Sequence, residues 1–441
     1  MSVWKLKHNL NSLLIPKIDG MDFICKTPIY IPFKKIGINA LVRKETPLPL
    51  EEEMILKLLQ LKYKKVADIS KILGVEEDIL NDILGEMSLK DLIYVKGEVI
   101  TITPKGETAL KKLTQLIIKH EIISLYIDGI TGDFADVENG KNKIPKFYPC
   151  LDNNIIIDET FLKQKSTEIE RKYKEIQSAY NISSSMVSNN QIYQLLDIDY
   201  ETTEFVEKNL LIYKNCNDED YFYEVGSNDQ YSNAVLEQIK YASGMKSLLR
   251  SRTDVEKYSS VNACIEKSLI DNFNTLNDYV RKDEKEIDEI YFTDRLMLNK
   301  EYIEILIQAQ EIKPEKIIIT TSSLDTICTN SVINTLHNIS DKIPVNIVYN
   351  ESDFYSNKIA QNIIKNNKGS KKIQLAKDND IVNTKIILYP QCYINVDYIP
   401  HFISGAYILQ EVPTIFFDKD IIKENMAKIE EKYNINGANK K

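Results

Sequence analysis

The sequence predicts an α/β protein with several domains, and three observations predict this class. The chain has 441 residues, which is enough for roughly two to four domains of ordinary size. Residues 51–116 combine short amphipathic helices with a small β-hairpin. Residues 287–433 alternate buried β-prone runs with helices, which is the pattern of an α/β layer. We expect three domains, at 1–136, 137–283 and 284–441, the middle one being rich in α-helix.

The helices of the first domain follow from the spacing of its apolar residues. Helical spacing is found at Met54, Ile55, Leu58, Leu59 and Leu61, then at Val66, Ile69, Ile72 and Leu73, and then at Ile79, Leu80, Ile83, Leu84 and Met87. Gly74 separates the second helix from the third. Because glycine adopts a positive φ at little cost, Gly74 can supply the tight turn of a helix-turn-helix.

A small β-hairpin and a closing helix are predicted after the three helices. The β-prone runs are 92–95 and 99–102, and the connection between them is centred on Gly97. Thr103 offers a hydroxyl cap for a following helix, and Pro104 is favoured at the first helical position. Three helices, a hairpin and a closing helix are the layout of a winged helix-turn-helix.

The segment from Ile102 to Leu110, ITPKGETAL, is similar to the ending LTxxGxxAL of winged helices in bacterial and archaeal regulators. The resemblance covers residues 51–116 only. It implies a winged-helix fold, and it implies binding of DNA, RNA or another protein.

The third helix is rich in carboxylates, which argues against its simple insertion into the major groove of DNA. Around it lie Glu76, Glu77, Asp78, Asp82, Glu86 and Asp91, against a single Lys90. Duplex binding relies on Lys and Arg to neutralise phosphates, and carboxylates repel them. The lysines that could still contact a DNA backbone are Lys62, Lys64, Lys65, Lys71 and Lys96. DNA contact therefore stays open beside protein contact or a purely structural role.

Composition and charge favour a cytoplasmic protein without a cofactor. The net charge of -9 argues against a basic coat for nucleic acid. The six cysteines form no CxxC pair, so we expect reduced, buried thiols and no zinc site. Neither a signal peptide nor an apolar run of about 20 residues is visible, so we expect no membrane partner.

The regions around the winged helix give weaker signals. Short β-prone runs within 23–42 predict a small β segment that packs on the winged helix. The run 125–128 ends in a turn at Asp128, whose carboxylate either ligates a metal or bonds its own backbone. In the middle domain, 204–213 and 221–225 predict a β-hairpin among helices.

The last domain is predicted to be a doubly wound α/β layer. Its expected strands are 290–292, 316–321, 345–349, 373–375, 385–389, 407–409 and 414–417. The order of a strand ending in Ser322 and Ser323, a helix, the strand VNIVY, a helix and a short strand resembles a phospholipase D-like domain. Another α/β layer is the alternative.

The phospholipase D resemblance implies a degenerate site. Active members carry HxKxxxxD, in which histidine attacks phosphorus and lysine stabilises the phosphoryl oxygens. Here Asn383 stands in place of the histidine, Pro390 in place of the aspartate, and only Lys385 matches. Asparagine is neither nucleophilic nor basic near neutral pH, so we expect no catalysis. An anion site built from Lys385, Ser322 and Ser323 at the ends of strands is the remaining prediction.

The pair of resemblances implies two classes of protein. One is the sugar-responsive transcriptional regulator of the TrmB type, and the other is the accessory subunit of bacterial DNA-handling or antiviral defence systems. Because the winged helix does not begin the chain and its third helix is acidic, we predict a non-catalytic adaptor with a protein partner. Double-stranded DNA and a homodimer are further candidate interactions. A ligand-responsive regulator is the first alternative, and a phospholipase D-like nuclease is the second.

Overall fold

The computed structural model describes residues 13–144, 148–183, 190–218, 220–226, 228–241, Met245, 248–256, Tyr258, 265–281, 289–352, 354–366 and 373–435. It is a mixed α/β structure, as the sequence predicts, and its sheets have five, seven and two strands. Contacts divide the described chain into two units. Unit 1 draws on 1–30, 144–152 and 207–441, and unit 2 on 31–143 and 153–206. The division into three domains stays a prediction.

The described chain enters its first sheet through a long strand. Strand β1 runs over the 27 residues Met21–Pro47, whereas about five or six are usual. Its buried side chains recur at every second position, at Ile36, Ile38, Ala40 and Val42. The expectation of separate short runs is wrong, because the strand continues through Pro28 and Pro32. Proline removes an N–H donor, but its φ is compatible with an extended chain.

The helices and the hairpin predicted for residues 51–116 are all present. They are α1 (Leu50–Gln60), α2 (Val66–Leu73), α3 (Glu77–Leu89), β2 (Ile93–Lys96), β3 (Val99–Ile102) and α4 (Pro104–Lys112). We call residues 50–112 the helix–hairpin module. Gly74 ends α2 at a φ of 67°, and the Thr103 hydroxyl accepts a hydrogen bond from the Gly106 N–H at 3.0 Å. Several predicted core positions are exposed instead, namely Met54, Leu61, Ile72 and Ile79.

The helix–hairpin module joins the end of β1 to the strand that pairs with it. Strand β4 (Thr114–Asp128) pairs antiparallel with β1 over its whole length. The Leu48 N–H donates to the Leu113 carbonyl at 3.0 Å, which closes the pair of strands beside the module. Strand β5 (Phe134–Ala135) pairs with β4 only near its end.

The predicted β-hairpin of the middle region is present, but its first strand is longer than expected. Helices α5 (Glu159–Gln164) and α6 (Ser166–Ser183) precede β6 (Gln191–Asn215) and β7 (Tyr221–Val225). Acidic side chains of β6 hid its extent in the sequence, because they pair with the neighbouring strand. Asn39 donates to Asp197 at 2.6 Å, and Lys34 pairs with Glu201 at 2.6 Å. Helices α7 (Asp229–Lys240), α8 (Arg252–Val255) and α9 (Lys267–Arg281) follow.

The C-terminal sheet is mixed and not doubly wound. Its elements are β8 (Arg295–Leu296), α10 (Glu301–Ile307), α11 (Ala309–Ile312), β9 (Lys316–Thr321), α12 (Asn330–Ile339), β10 (Val345–Tyr349), α13 (Phe354–Asn366), β11 (Ile373–Lys377), β12 (Thr384–Tyr389), β13 (Cys392–Ile403), β14 (Ala406–Phe416) and α14 (Lys419–Tyr433). The strand order is β11-β10-β9-β12-β13-β14-β8, and only β9, β10 and β11 are mutually parallel.

Tight turns explain why the doubly wound prediction is wrong. Short connections join β12 to β13 and β13 to β14, and such turns connect only antiparallel strands. Ser404 and Gly405 have φ values of 48° and 90°, as a two-residue hairpin turn requires. Residues Glu289–Phe292 form a 3-10 helix in place of the expected strand.

Two cores cover the faces of the C-terminal sheet. One face packs Ile317, Ile319, Ile386 and Leu388 against the helices between α10 and α13. The other face packs Ile318, Ile387 and Tyr393 against Ile422 and Ile429 of α14. None of the described helices combines the length and the apolar composition that a membrane crossing requires.

Candidate nucleic-acid and anion sites

The predicted lysines of the helix–hairpin module include a cluster that the backbone holds together. The turn between α1 and α2 runs beside β3, because the Ile100 N–H donates to the Lys64 carbonyl at 2.8 Å and Lys65 forms a bridge with Val99. Val99 pairs in turn with Lys96 across the hairpin. Lys65 and Lys96 therefore flank one strand, about 10 Å apart at the usual strand spacing.

All five predicted lysines are exposed and carry free charges. Within the described residues, no ion pair engages Lys62, Lys64, Lys65, Lys71 or Lys96. Other lysines of the module are engaged. Lys57 pairs with Glu53, and Lys90 lies 2.5 Å from the buried Glu52. The available positive charge therefore lies on the α1–α2 turn, α2 and the hairpin, and also at the end of α4, where Lys111 and Lys112 are exposed without an ion pair among the described residues.

Helix α3 presents a stripe of opposite character. Ile79, Asp82, Glu86 and Leu89 follow one another at intervals of three and four residues, which places them along one face of the helix. All four are exposed, and Leu89 is 90% exposed. Lys90 lies 2.5 Å from Glu52 and 4.0 Å from Glu86, so it offsets part of the Glu86 charge and none of the Asp82 charge. We call these four residues the α3 stripe.

Lys385 lies on the α14 face of the C-terminal sheet. It pairs with Asn395 on β13, and its pKa is lowered chiefly by burial. Lys428 and Lys432 of α14 lower the pKa further, while the carboxylate of Asp397 opposes both effects. Lys428 pairs with Glu424 at 2.6 Å and Lys432 with Asp378 at 2.9 Å, so carboxylates offset the charge of both α14 lysines.

The carboxylate of Asp397 is held by two amides. Asn383 donates to one of its oxygens, and Asn395 donates to the other at 2.9 Å. The side-chain oxygen of Asn383 is buried, and no described group donates a hydrogen bond to it. The residue in place of the expected histidine therefore orients an acid and has no role as a nucleophile.

Ser322 and Ser323 lie apart from Lys385. The Tyr258 hydroxyl donates to Ser322 at 3.5 Å, and Tyr258 belongs to the core on the sheet face opposite α14. Ser323 donates its hydroxyl to the carboxylate of Asp325. No described hydrogen bond or ion pair joins Lys385 to either serine. Both serines lie beyond the end of β9 at Thr321, where the alternation of the strand no longer sets the direction of a side chain.

No described histidine lies beside Lys385. His401 is also on β13, about 20 Å from the partner of Lys385 at about 3.3 Å per residue. It shares a hydrogen bond of 2.8 Å with Gln410, and burial lowers its pKa. His337 is buried on α12, and His120 is exposed on β4. His8 lies outside the described residues.

In the turn after β4, the carboxylate of Asp128 bonds the backbone of the turn. It accepts hydrogen bonds from the N–H groups of Ile130 at 2.8 Å and Thr131 at 3.1 Å. Across the described ranges, no three His, Cys, Asp or Glu side chains come together as a metal site.

The thiols are only partly buried. Cys328 and Cys392 are buried, Cys25 and Cys150 are half-buried, and Cys216 is exposed. Cys264 lies outside the described residues. The expectation that all the thiols are buried is therefore wrong for Cys216, which lies in the polar turn between β6 and β7.

Sequence reasoning missed the surroundings of Lys385. The sequence places Lys428 and Lys432 four residues apart on one helix face, which was a usable signal. No local pattern links Asn395 and Asp397 to Lys385, because the antiparallel return of β13 brings them there.

Comparison with known proteins adds little to these sites. No family model matches the chain, and no curated protein matches it. Among solved structures, the chain is similar to TrmBL2, described as an archaeal chromatin protein with a novel mode of DNA binding. The identity is 10%, the match covers 88% of this chain and 94% of that chain, and the TM-score is 0.23. A TM-score this low supports neither a shared fold nor a shared function.

Proposed function

We propose that this chain is a non-catalytic adaptor subunit that binds a protein partner through α3. In this proposal the helix–hairpin module is a winged helix, and the C-terminal sheet is a degenerate phospholipase D-like domain. The observation that carries the proposal is the α3 stripe.

The α3 stripe suits a protein partner better than a nucleic acid. Its carboxylates would lie against phosphates if α3 entered a DNA groove, and such contacts repel. Its exposed aliphatic ends, Ile79 and Leu89, offer apolar area that a partner can bury. A partner with a basic, partly apolar groove complements both features.

The absence of catalysis rests on the neighbours of Lys385. A phospholipase D-like reaction requires a nucleophile beside the lysine, and Asn383 is committed to orienting Asp397. Lys385 makes no ion pair within the described residues and suits the binding of an anion, whereas Lys428 and Lys432 already pair with Glu424 and Asp378. If a nuclease activity existed, Lys385→Ala would abolish it.

The assembly we propose handles nucleic acid. The winged-helix layout supports this assignment, and bacterial defence systems are one class of assembly that uses such subunits. The expected cytoplasmic location and the protein partner are part of the same proposal.

Affinity capture of the tagged chain from its native cells, with and without nuclease treatment, tests the adaptor proposal. We expect one or two proteins to be recovered in stoichiometric amounts whether or not nuclease is present. Recovery of DNA fragments without a protein partner would contradict the adaptor proposal and favour a regulator.

A ligand-responsive regulator is the second candidate, and the lysine cluster favours it. Lys64, Lys65 and Lys96 could neutralise phosphates from the side of the hairpin, with α3 held away from the duplex. This candidate predicts duplex affinity that falls steeply with salt and responds to an anionic ligand near Lys385. The double variant Lys64→Glu/Lys65→Glu should then weaken duplex binding strongly, and the binding that remains should depend less steeply on salt.

A further inference from the structure

Strand β4 has an open edge. On one side it pairs with β1, and on the other side β5 pairs with it only at Tyr126 and Ile127. No described strand pairs with the outer edge from Thr114 to Leu125. This edge is about twice the usual length of a strand, and its unpaired N–H and C=O groups form a template for another strand.

The exposed side chains of this edge are unusually apolar. Leu116, Ile118 and Ile122 are each more than half exposed, on the sheet face opposite the core of Ile123 and Leu125. Natural proteins protect long apolar edges with charges, bulges or a covering chain. Here the outer edge carries few charged residues, and β4 shows no bulge in its pairing with β1.

We propose that a second copy of this chain covers the edge, with β4 pairing antiparallel to β4 about His120. In a two-fold dimer, the apolar cores of the two copies should lie on the same side of the joined sheet. Because side chains alternate along a strand, odd-numbered residues must then face odd-numbered residues, and even-numbered residues must face even-numbered ones. Since β5 occupies the edge from Tyr126, two registers use nearly all of the free edge. One is centred on His120 and spans 115–125, and the other is centred on Lys119 and spans 114–124.

Charge selects between the two registers. Centring on Lys119 would place that lysine opposite its own copy, which is unfavourable. Centring on His120 places Lys119 opposite Glu121 of the second copy, and the symmetry creates this pair twice. Lys119 is exposed and makes no ion pair within the described residues. Glu121 already holds Lys44 and Tyr173, and a carboxylate can accept further bonds.

The same register also matches the apolar side chains. It sets Ile118 opposite Ile122 of the second copy on the outer face, again twice. Four half-exposed isoleucine side chains therefore meet around the axis, and their contact removes apolar area from water. Opposite charges on one face and matched isoleucines on the other are what identify the occupant as a second copy.

The mass of the full chain in solution tests the dimer. Sedimentation equilibrium at micromolar concentrations should give twice the chain mass of 50.9 kDa. Lys119→Glu replaces two attractive pairs by two repulsive ones, so we expect the dissociation constant to rise about tenfold or more. The control Lys423→Glu makes the same charge change on an exposed residue of α14, outside β4, and should leave the dimer unchanged. A monomer at all concentrations would overturn the proposal.

Disulfide trapping tests the register. Directly opposed Cα atoms of antiparallel strands lie about 4.5–5.5 Å apart, within the range that a disulfide bridges. In a background with Cys216→Ser and Cys264→Ser, His120→Cys should oxidise to a covalent dimer. Lys119→Cys should not, because its two copies would be diagonal neighbours about 7–8 Å apart. Trapping through position 119 and not 120 would overturn this register, and a dimer trapped at neither position would overturn β4 pairing itself.

Discussion

At the residue scale, Gly106 shows why a glycine follows the cap of α4. A Cβ built on Gly106 would lie 2.1 Å from the Leu92 carbonyl oxygen, so a methyl group has no space. We therefore expect Gly106→Ala to destabilise the helix–hairpin module by about 1–3 kcal/mol. Gly85 of α3 has open space around it, so Gly85→Ala should stabilise the module by up to about 1 kcal/mol.

Amide hydrogen exchange in α1 and α3 measures this difference, because it reports local stability within a large chain. Equal protection in the two variants would show that the packing around Gly106 is looser than described. The motif ITPKGETAL made this glycine visible in the sequence, and the structure supplies the reason for it.

A buried ion pair is the second residue-scale feature. Arg295 is fully buried, and its guanidinium donates to both carboxylate oxygens of Glu301, at 2.8 and 3.0 Å. Glu301 also accepts from the Leu298 N–H at 2.9 Å. Removing one partner leaves a buried charge without compensation, so Glu301→Gln should lower the free energy of unfolding by about 3–5 kcal/mol.

Urea unfolding measures this loss of free energy, and the variant Glu424→Gln serves as the control. Glu424 forms an exposed pair with Lys428 at 2.6 Å, and exposed pairs contribute at most about 1 kcal/mol. Similar losses from the two substitutions would contradict the description of Arg295 and Glu301 as a buried pair.

The residue types of the candidate site could be predicted from the sequence, but their grouping could not. Lys385, Ser322 and Ser323 are where the strands predict them, at or beyond strand ends. Their directions depend on the turn that follows β9 and on the register of β12 against β9, and no local sequence pattern shows either. The spacing of Lys428 and Lys432 is visible in the sequence, but nothing local shows that α14 packs on the sheet face of Lys385.

At the element scale, α14 is fastened to the end of β11. The carboxylate of Asp378 accepts hydrogen bonds from the Tyr433 hydroxyl at 2.7 Å and from Lys432 at 2.9 Å. The Tyr433 hydrogen bond, with help from Lys432, lowers the pKa of Asp378 to about 2. A lowered pKa stabilises the fold above the ordinary aspartate range of about 4, and this contribution disappears as the pH falls through about 2.

Asp378→Asn should therefore destabilise the chain at pH 7 by about 1 kcal/mol, since Lys432 is half exposed and solvent screens part of the interaction. The difference from the wild type should vanish between about pH 4 and pH 2. Denaturant midpoints measured across this range check both statements. A difference that persists unchanged at pH 2 would mean that the Asp378 charge is not what fastens α14.

Elements with local signals were predicted well, and elements defined by long-range pairing were not. The helices of the module follow apolar periodicity, a glycine turn and a proline start, all of which are local. Strand β1 was divided at its prolines, and β13 was missed. The partners that hold these strands, such as β4 and β14, are fixed by pairing that a single sequence does not display.

At the scale of the whole molecule, the helix–hairpin module presents an acidic face on α3 and a group of lysines on the α1–α2 turn and the hairpin. An adaptor uses the acidic side to bind a protein, whereas a regulator uses the basic side to bind DNA. Reversing the charges on one side at a time therefore distinguishes the two functions.

The most direct test compares two double variants by affinity capture from nuclease-treated native cells. One is Asp82→Lys/Glu86→Lys on α3, and the other is Lys64→Glu/Lys65→Glu on the α1–α2 turn. All four positions are exposed, so both double variants should fold. We expect the α3 double variant to lose the protein partner and the lysine double variant to keep it. Loss of the partner from the lysine variant alone would contradict binding through α3 and assign recognition to the basic side of the module.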